Sequence, residues 1–339
     1  MAGLVMIILA IFVAVFGYFL SPDPSPFANR IILEVGGEKP GYTRDFLLAK
    51  KEREVETGFL TRLVSGKPDA YEYIPIATWQ PAGDSIIAQR FIDEGVTERI
   101  AYANNALAPE PVITKKFYVG TDKYGRDILS RLIIGTRVSL SVGLITVIIS
   151  LSVGILLGAI AGYFRGKIDE MVMWLINVIW SIPTLLLVFA ITLLLGKGFW
   201  QVFIAVGLTM WVNVARLVRG QVMVTKELQY VEAAKALGYS HSRTIVKHIL
   251  PNIFGPILVI AASNFASAIV IEAGLSFLGV GVQPPQPSWG LMIKENYNFI
   301  ITQNPMLAMA PGFAIMLLVL SFNLLGNGLR DALNVRGRL

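Results

Sequence analysis

Cysteine is absent from this 339-residue chain, histidine occurs twice, and only 15% of the residues are charged. Without cysteine there is no disulfide framework and no thiolate metal site. The two histidines, His241 and His248, share one charged segment, so a histidine-rich metal centre is not expected. A soluble domain carries about 25% charged residues. A chain this poor in charge and 54% hydrophobic does not read as soluble. Catalytic signatures are missing too. There is no GxxxxGK[ST] phosphate loop, Gly196-Lys197-Gly198 being too short for one, and no HExxH or GxSxG. No internal repeat of fixed period is visible. What the chain does have is long uncharged stretches and a mean hydropathy of +0.62. It reads as an integral membrane protein.

Crossing about 30 Å of hydrocarbon takes about 20 apolar residues in a helix. Uncharged runs cover Ala2–Leu20, Val138–Phe164, Met171–Gly196, Gly198–Ala215, Ile249–Ile271 and Asn296–Leu329. They predict six spans, at 2–20, 138–163, 172–195, 199–216, 253–277 and 306–328; Gln303, Asn304 and Pro305 spoil the start of the last run. The stretch Ala273–Ile293 is uncharged but holds Pro284, Pro285 and Pro287 and reads as a loop. The first run lacks a basic leader and exceeds a usual signal-peptide core, so it is read as a retained span, with a few leading residues expected ahead of it.

Lys and Arg in short loops set orientation. Arg165, Lys167, Arg216, Arg219, Lys226, Lys235, Arg243, Lys247, Arg330, Arg336 and Arg338 fall on one side, against Lys197 and Lys294 on the other. Both termini are therefore expected to be cytoplasmic. The long loop 21–137 carries 16 basic and 16 acidic residues and is expected outside, since long loops translocate largely regardless of charge. The net charge of +6 then belongs to the cytoplasmic loops. It reads as topology and contact with anionic lipid, not nucleic-acid binding. Within the long loop, Tyr71–Trp79 is strand-like. Asp84–Asn105 shows helical spacing of Ile86, Ile87, Phe91, Ile92, Val96 and Ile100 behind Asp84 and Ser85 as caps. Residues 21–118 are expected to form a small extracytoplasmic subdomain between the first span, 1–20, and a core over 119–339.

The loop 217–252 between the fourth and fifth spans holds the densest pattern. Val224–Leu237 favours helix, Gly238 sits where a left-handed residue ends it, Ser240 or Ser242 caps the next helix, and Pro251 is expected to stop that one. Glu232 stands beside the small residues Ala233 and Ala234, a face that another backbone can approach closely. The spacing Glu232-Ala233-Ala234, Gly238, Leu250-Pro251 resembles the EAA signature of ABC-importer permease subunits, with His248 where Ile is usual. Gly120-Thr-Asp-Lys-Tyr-Gly-Arg-Asp-Ile-Leu-Ser-Arg131 and Glu272–Gly290 resemble segments of the C-type permeases of oligopeptide and dipeptide systems. The resemblance covers about two-thirds of the chain, residues 118–335, and leaves 21–117 as an insertion.

That resemblance implies an all-α membrane protein of the type I ABC importer permease fold, with an inserted mixed subdomain. It implies partners: two ABC ATPase subunits or one fused ATPase, a second homologous permease, and an extracytoplasmic peptide-binding protein. ATP and Mg would sit on the partner ATPases, and this chain is expected to bind no cofactor or metal of its own. The loop 217–252 would be the coupling helix that docks on the ATPase. The localisation implied is a prokaryotic cell membrane. Nickel or opine-like cargo for the same machine stays open, as does an ion-coupled secondary transporter, although spans two to four have almost no polar residues for ion coupling.

Further residues carry double readings. Glu272 is expected to face the bundle interior, either on the cargo path or as an anchor for the following Gly-rich turn. Asp122, Arg126, Asp127 and Arg131 read as an outer ion-pair network or a cargo contact. Pro183 must kink the third span, as a hinge or a fixed bend. Gly154, Gly158 and Gly162 form a small-residue stripe suited to close helix packing.

Overall fold

The computed structural model describes residues 1–51, 57–196, 198–301 and 304–333. The sequence readings at Lys197, Gln303, Arg336 and Arg338 lie outside them. In chain order the elements are α1 (Ala2–Leu20), β1 (Tyr42–Lys50), α2 (Phe59–Ser65), β2 (Tyr71–Ala82), β3 (Ser85–Asp93), β4 (Val96–Ala103) and β5 (Leu107–Phe117). There follow α3 (Ile128–Phe164), α4 (Gly166–Trp180), α5 (Thr184–Leu195), α6 (Phe199–Thr225), α7 (Gln229–Ala236), α8 (His241–Thr244), α9 (Phe254–Phe277), α10 (Trp289–Asn296) and α11 (Met306–Leu333). Among the described residues, five helical stretches are long and apolar enough to cross a membrane, and the α4–α5 pair, bent by 92°, brings the number to six if it crosses once.

Two compact units result. One comprises Met1–Ala10, Ser139–Gln283 and the described part of Ile315–Leu339; the other comprises Ile11–Val138 and Pro284–Ala314. In the first unit the glycine stripe sets the packing. A Cβ at Gly154 would lie 2.5 Å from the Val214 Cβ, one at Gly158 2.4 Å from the Ala215 carbonyl oxygen, and one at Gly162 2.6 Å from the Arg219 carbonyl oxygen. Helix α6 answers with Gly207 against Ile149 of α3. In lipid, where burial gives helices little reason to associate, such backbone approach is what van der Waals packing requires.

The second unit carries an antiparallel five-stranded sheet in the order β4-β3-β2-β1-β5. Strand β1, between β2 and β5, buries Phe46, Leu47, Leu48 and Ala49 in succession. Leu47 and Ala49 join Ile74, Ile76, Ile86 and Ala88 in one core. Phe46 joins Ile32, Val35 and Phe117 in another.

Three sequence expectations need correction. The predicted helix over Asp84–Asn105 is the hairpin β3–β4, with Ile86 opposite Tyr102 and Ala88 opposite Ile100. Glu94 and Gly95 make its two-residue turn, and Gly95 has φ +77°. The β-branched and aromatic residues that mimicked a helical stripe alternate across a sheet instead. The span expected at 138–163 belongs to a helix that begins at Ile128, because Asp127 Oδ2 accepts the Ser130 N–H at 2.9 Å as an N-cap. The third span is two helices, broken at Ser181-Ile182-Pro183, rather than one kinked helix over 172–195.

Candidate functional site

The loop between α6 and α9 is built as two capped pieces. Helix α6 runs on to Thr225, so the single helix expected over Val224–Leu237 is instead a turn at Lys226–Leu228 followed by α7. Helix α7 ends in two hydrogen bonds, from the Gly238 N–H to the Lys235 carbonyl at 2.9 Å and from the Tyr239 N–H to the Ala234 carbonyl at 3.2 Å. This 5→2 and 6→1 pair is the Schellman arrangement, which needs a left-handed residue at Gly238; its φ is +78°. Ser240 then caps the next turn, its Oγ accepting from the Arg243 N–H at 3.4 Å. Pro251 does not stop the chain here as expected. A π turn over Ile245–Ile249 and a 3₁₀ turn over Leu250–Ile253 carry the helix past it into α9. Widening the turn relieves the clash that a proline ring makes with the preceding carbonyls. His248, the departure from the EAA pattern, stacks on Tyr239 with ring centroids 5.4 Å apart.

One face of α7 is seated and the other is exposed. Val231 is buried in a core with Tyr163 of α3, Val214, Val218 and Val222 of α6, and Ile249, Ile253 and Ile257 on the α9 side. Ala234 is buried as well. Glu232, Ala233 and Gly238 are exposed, with Leu237 73% exposed and Val246 60% exposed nearby. Leu250 is half-buried and Pro251 exposed. Polar ties join the loop to the end of α3: the Tyr163 hydroxyl lies 3.0 Å from His241 Nδ1, and Lys226 Nζ donates to the Tyr163 carbonyl at 2.7 Å. Burial, then the nearby Lys235 and Arg165, push the Lys226 ammonium down. A displacement of α7 must therefore be felt by α3, α6 and α9 together.

The structure brings Asp122, Arg126 and Arg131 together with a residue that the sequence reading missed, Glu295 of α10. Arg126 donates from Nε to Asp122 Oδ2 at 2.6 Å and from Nη2 to Glu295 Oε2 at 2.7 Å. Arg131 stands 3.5 Å from Glu295 and 3.9 Å from Asp122. All three of the expected residues are buried. Asp127 serves as the α3 cap instead of joining this network. Glu295 lies more than 160 positions from Asp122, and no local spacing marks it.

Glu272 is 1% exposed, and its Oε1 accepts the Ser276 hydroxyl at 2.6 Å. The Ser276 Oγ in turn accepts the Val282 N–H at 3.0 Å. The carboxylate thus holds the turn over 278–282 through Ser276. Pro183 lies at the α4–α5 break and opens α5. Beside that break is a cavity of about 240 Å³, whose polar wall is Thr184, Thr209, Asn213 and Ser267. Asn213 and Ser267 are exposed in the isolated chain, although each lies within an apolar helix.

Helices of spanning length, one broken crossing and a loop helix that is half seated and half presented define a multi-pass membrane permease. Residues 154–338 match the family described as "Binding-protein-dependent transport system inner membrane component", and the chain belongs to it. The glutathione transport system permease protein GsiD of Pectobacterium atrosepticum is 41% identical over 217 residues, 64% of this chain and 72% of that one. The oligopeptide transport system permease protein OppC of Bacillus subtilis is 38% identical over 69% of this chain and 76% of its own length. The dipeptide transport system permease protein DppC of Alkalihalophilus pseudofirmus is 42% identical over 64% and 71%, respectively. A solved chain of the inward-facing MetNI methionine ABC transporter matches with a TM-score of 0.51 at 17% identity, over 61% of this chain and 98% of that one. The fold is that of a type I ABC importer permease, and the family is one of transport subunits rather than catalytic ones.

Proposed function

We propose that this chain is the permease subunit of an ATP-driven importer of di- and oligopeptides. It pairs with a second, related permease to enclose the pathway. A binding protein delivers the peptide from outside, and partner ATPases hold the ATP and Mg. The α4–α5 pair is read as one crossing, which puts both termini in the cytoplasm and residues 21–137 outside. ATP-driven closure of the ATPases moves α7, the bundle turns outward, and hydrolysis resets it.

The observation that carries this reading is the division of α7. Val231 and Ala234 are locked among the bundle helices, while Glu232, Ala233 and Leu237 are left to a partner. Replacing Gly238 tests it. A Cβ there meets nothing within 4 Å, so the cost of Gly238→Val is backbone strain of about 1–2 kcal/mol at one cap rather than a clash. The expected outcome is ATP-dependent peptide uptake reduced at least tenfold, with normal membrane levels. Wild-type uptake by the variant would show that the cap does not matter for coupling.

Peptide cargo, over nickel or an opine-like molecule, is favoured by the names of the relatives and by the cavity at the α4–α5 break. Its polar wall of two threonines, an asparagine and a serine is uncharged, which suits a peptide backbone. Asn213→Leu is expected to raise the KM for dipeptide uptake about tenfold, because one lost hydrogen bond costs about 0.5–1.5 kcal/mol and the apolar replacement leaves a peptide group unpaired. An unchanged KM would remove this cavity from the path.

A further inference from the structure

The second unit holds a cavity to which the import cycle proposed above assigns no role. It encloses about 270 Å³ between the segment 22–32, strand β5 and the turn before α3, and Asp23, Arg30, Lys115 and Asp127 line it. That volume is far above the roughly 10–15 Å³ that one water needs and just under the roughly 300–1,000 Å³ of sites for drug-sized ligands. Lys116 lines it as well, exposed and over the Tyr118 ring, and two of the other four charged groups are already satisfied. Arg30 makes a two-pronged bond to Asp69, with Nε to Oδ2 at 2.7 Å, and stands 3.1 Å from Asp23 Oδ1. Asp23 also accepts the backbone N–H groups of Ser25 and Arg30.

Lys115 and Asp127 are not satisfied in this way. Asp127 uses Oδ2 for both Ser130 bonds, and its Oδ1 has no partner among the described residues. Lys115 Nζ lies 4.4 Å from the centre of the Tyr73 ring and has no hydrogen-bond acceptor among the described residues. The two groups attract each other, but from beyond ion-pair distance. Burial, with Arg30 adding to it, pushes the Lys115 ammonium down to about 8, and burial pushes the Asp127 carboxyl up. Neither charge therefore has a hydrogen-bonded or ion-paired counter-group among the described residues, although Asp23 and Asp69 also attract the Lys115 ammonium from further off. The rest of the wall includes Ile32 and Phe117, both buried apolar residues.

We propose that this cavity binds a free α-amino acid as its zwitterion, with the ligand carboxylate on Lys115 Nζ and the ligand ammonium on Asp127 Oδ1. A single anion would leave Asp127 without a partner, and a single cation would leave Lys115 without one. A ligand with both charges a few bonds apart meets each group with a charge-assisted hydrogen bond. The proposal does not depend on the cargo reading, since a free amino acid is not a peptide.

Titration calorimetry on the intact transporter complex tests it, with L-alanine, L-serine and L-leucine as probes and N-acetyl-L-alanine and L-alaninamide as singly charged controls. The expected result is one saturable site per chain for at least one of the three amino acids, with each control at least tenfold weaker. Lys115→Gln should weaken binding at least tenfold in a complex that still assembles, and Lys115→Arg should keep most of it. Absence of saturable heat with all three amino acids would overturn the proposal, leaving bridging water as the occupant. So would equal affinity of Lys115→Gln, which would place the site elsewhere, or equal affinity of either control, which would make it a site for one charge alone.

Discussion

Gly158→Leu is expected to abolish recovery of the folded chain from membranes. The α3–α6 contact has no slack at this position: the first added atom already falls 2.4 Å from the Ala215 carbonyl oxygen and 3.0 Å from the Ala215 Cα. Both atoms are backbone, so no rotamer change relieves the overlap, and the helices must separate. Overpacking in a core costs about 1–3 kcal/mol when side chains can give way, and here they cannot. Separation would also loosen Gly154 and Gly162 from α6, one turn to either side, and with them the Val214–Val218–Val222 core on which α7 sits. The matched control is Gly220→Ala on α6, where an added Cβ meets nothing within 4 Å. Helix propensity alone then acts, and the variant should gain about 0.5–1 kcal/mol. Size-exclusion profiles and melting temperatures of the detergent-extracted pair check both. Equal recovery of the two variants would mean that α3 and α6 are not held this closely.

The second large effect is expected at the buried ion network. Arg126→Ala leaves Asp122 Oδ1 its two backbone N–H bonds, from Tyr124 and from position 126, but strands Asp122 Oδ2 and Glu295 with only the more distant Arg131 to answer them. Breaking a buried pair from one side costs about 3–5 kcal/mol, because it leaves an uncompensated charge. The double replacement Arg126→Met with Glu295→Met removes one cation and one anion together and leaves Arg131 facing Asp122. It is expected to recover most of the lost stability. A double variant no better than Arg126→Ala would indicate that these side chains act separately rather than as one network.

Much of this molecule was legible in its sequence because lipid imposes length and composition rules that a single chain must display. The spans at 2–20 and 306–328 sit on α1 and α11, and the glycines at 154, 158 and 162 face the helix that their spacing implied. Gly238 was legible because a left-handed cap admits few residues. What was not legible depended on partners distant in the chain. Ile86 and Ile100 fit a helical stripe as well as one face of a hairpin, and only the Glu94-Gly95 turn and the pairing with β2 decide between them. Charge counting placed the start of α3 ten residues late, since it cannot see that Asp127 caps a helix ahead of the apolar run. Glu295 gave no sign of itself, because a buried ion pair is a property of the fold. Pro183 predicted a bend, but the size of the bend is set by packing around it, not by the proline alone.

The central claim, that the exposed face of α7 docks on an ATP-hydrolysing subunit, has a direct test because the chain has no cysteine of its own. Ala233 is exposed while Ala234 beside it is buried, so Ala233→Cys places a lone thiol on the presented face without disturbing the seated one. Native membranes carrying this variant are treated with a thiol-to-amine cross-linker, and the adduct is identified by mass spectrometry. The account predicts an adduct between position 233 and an ABC ATPase. An intact complex that yields adducts only with lipid or with proteins that bind no ATP would contradict it.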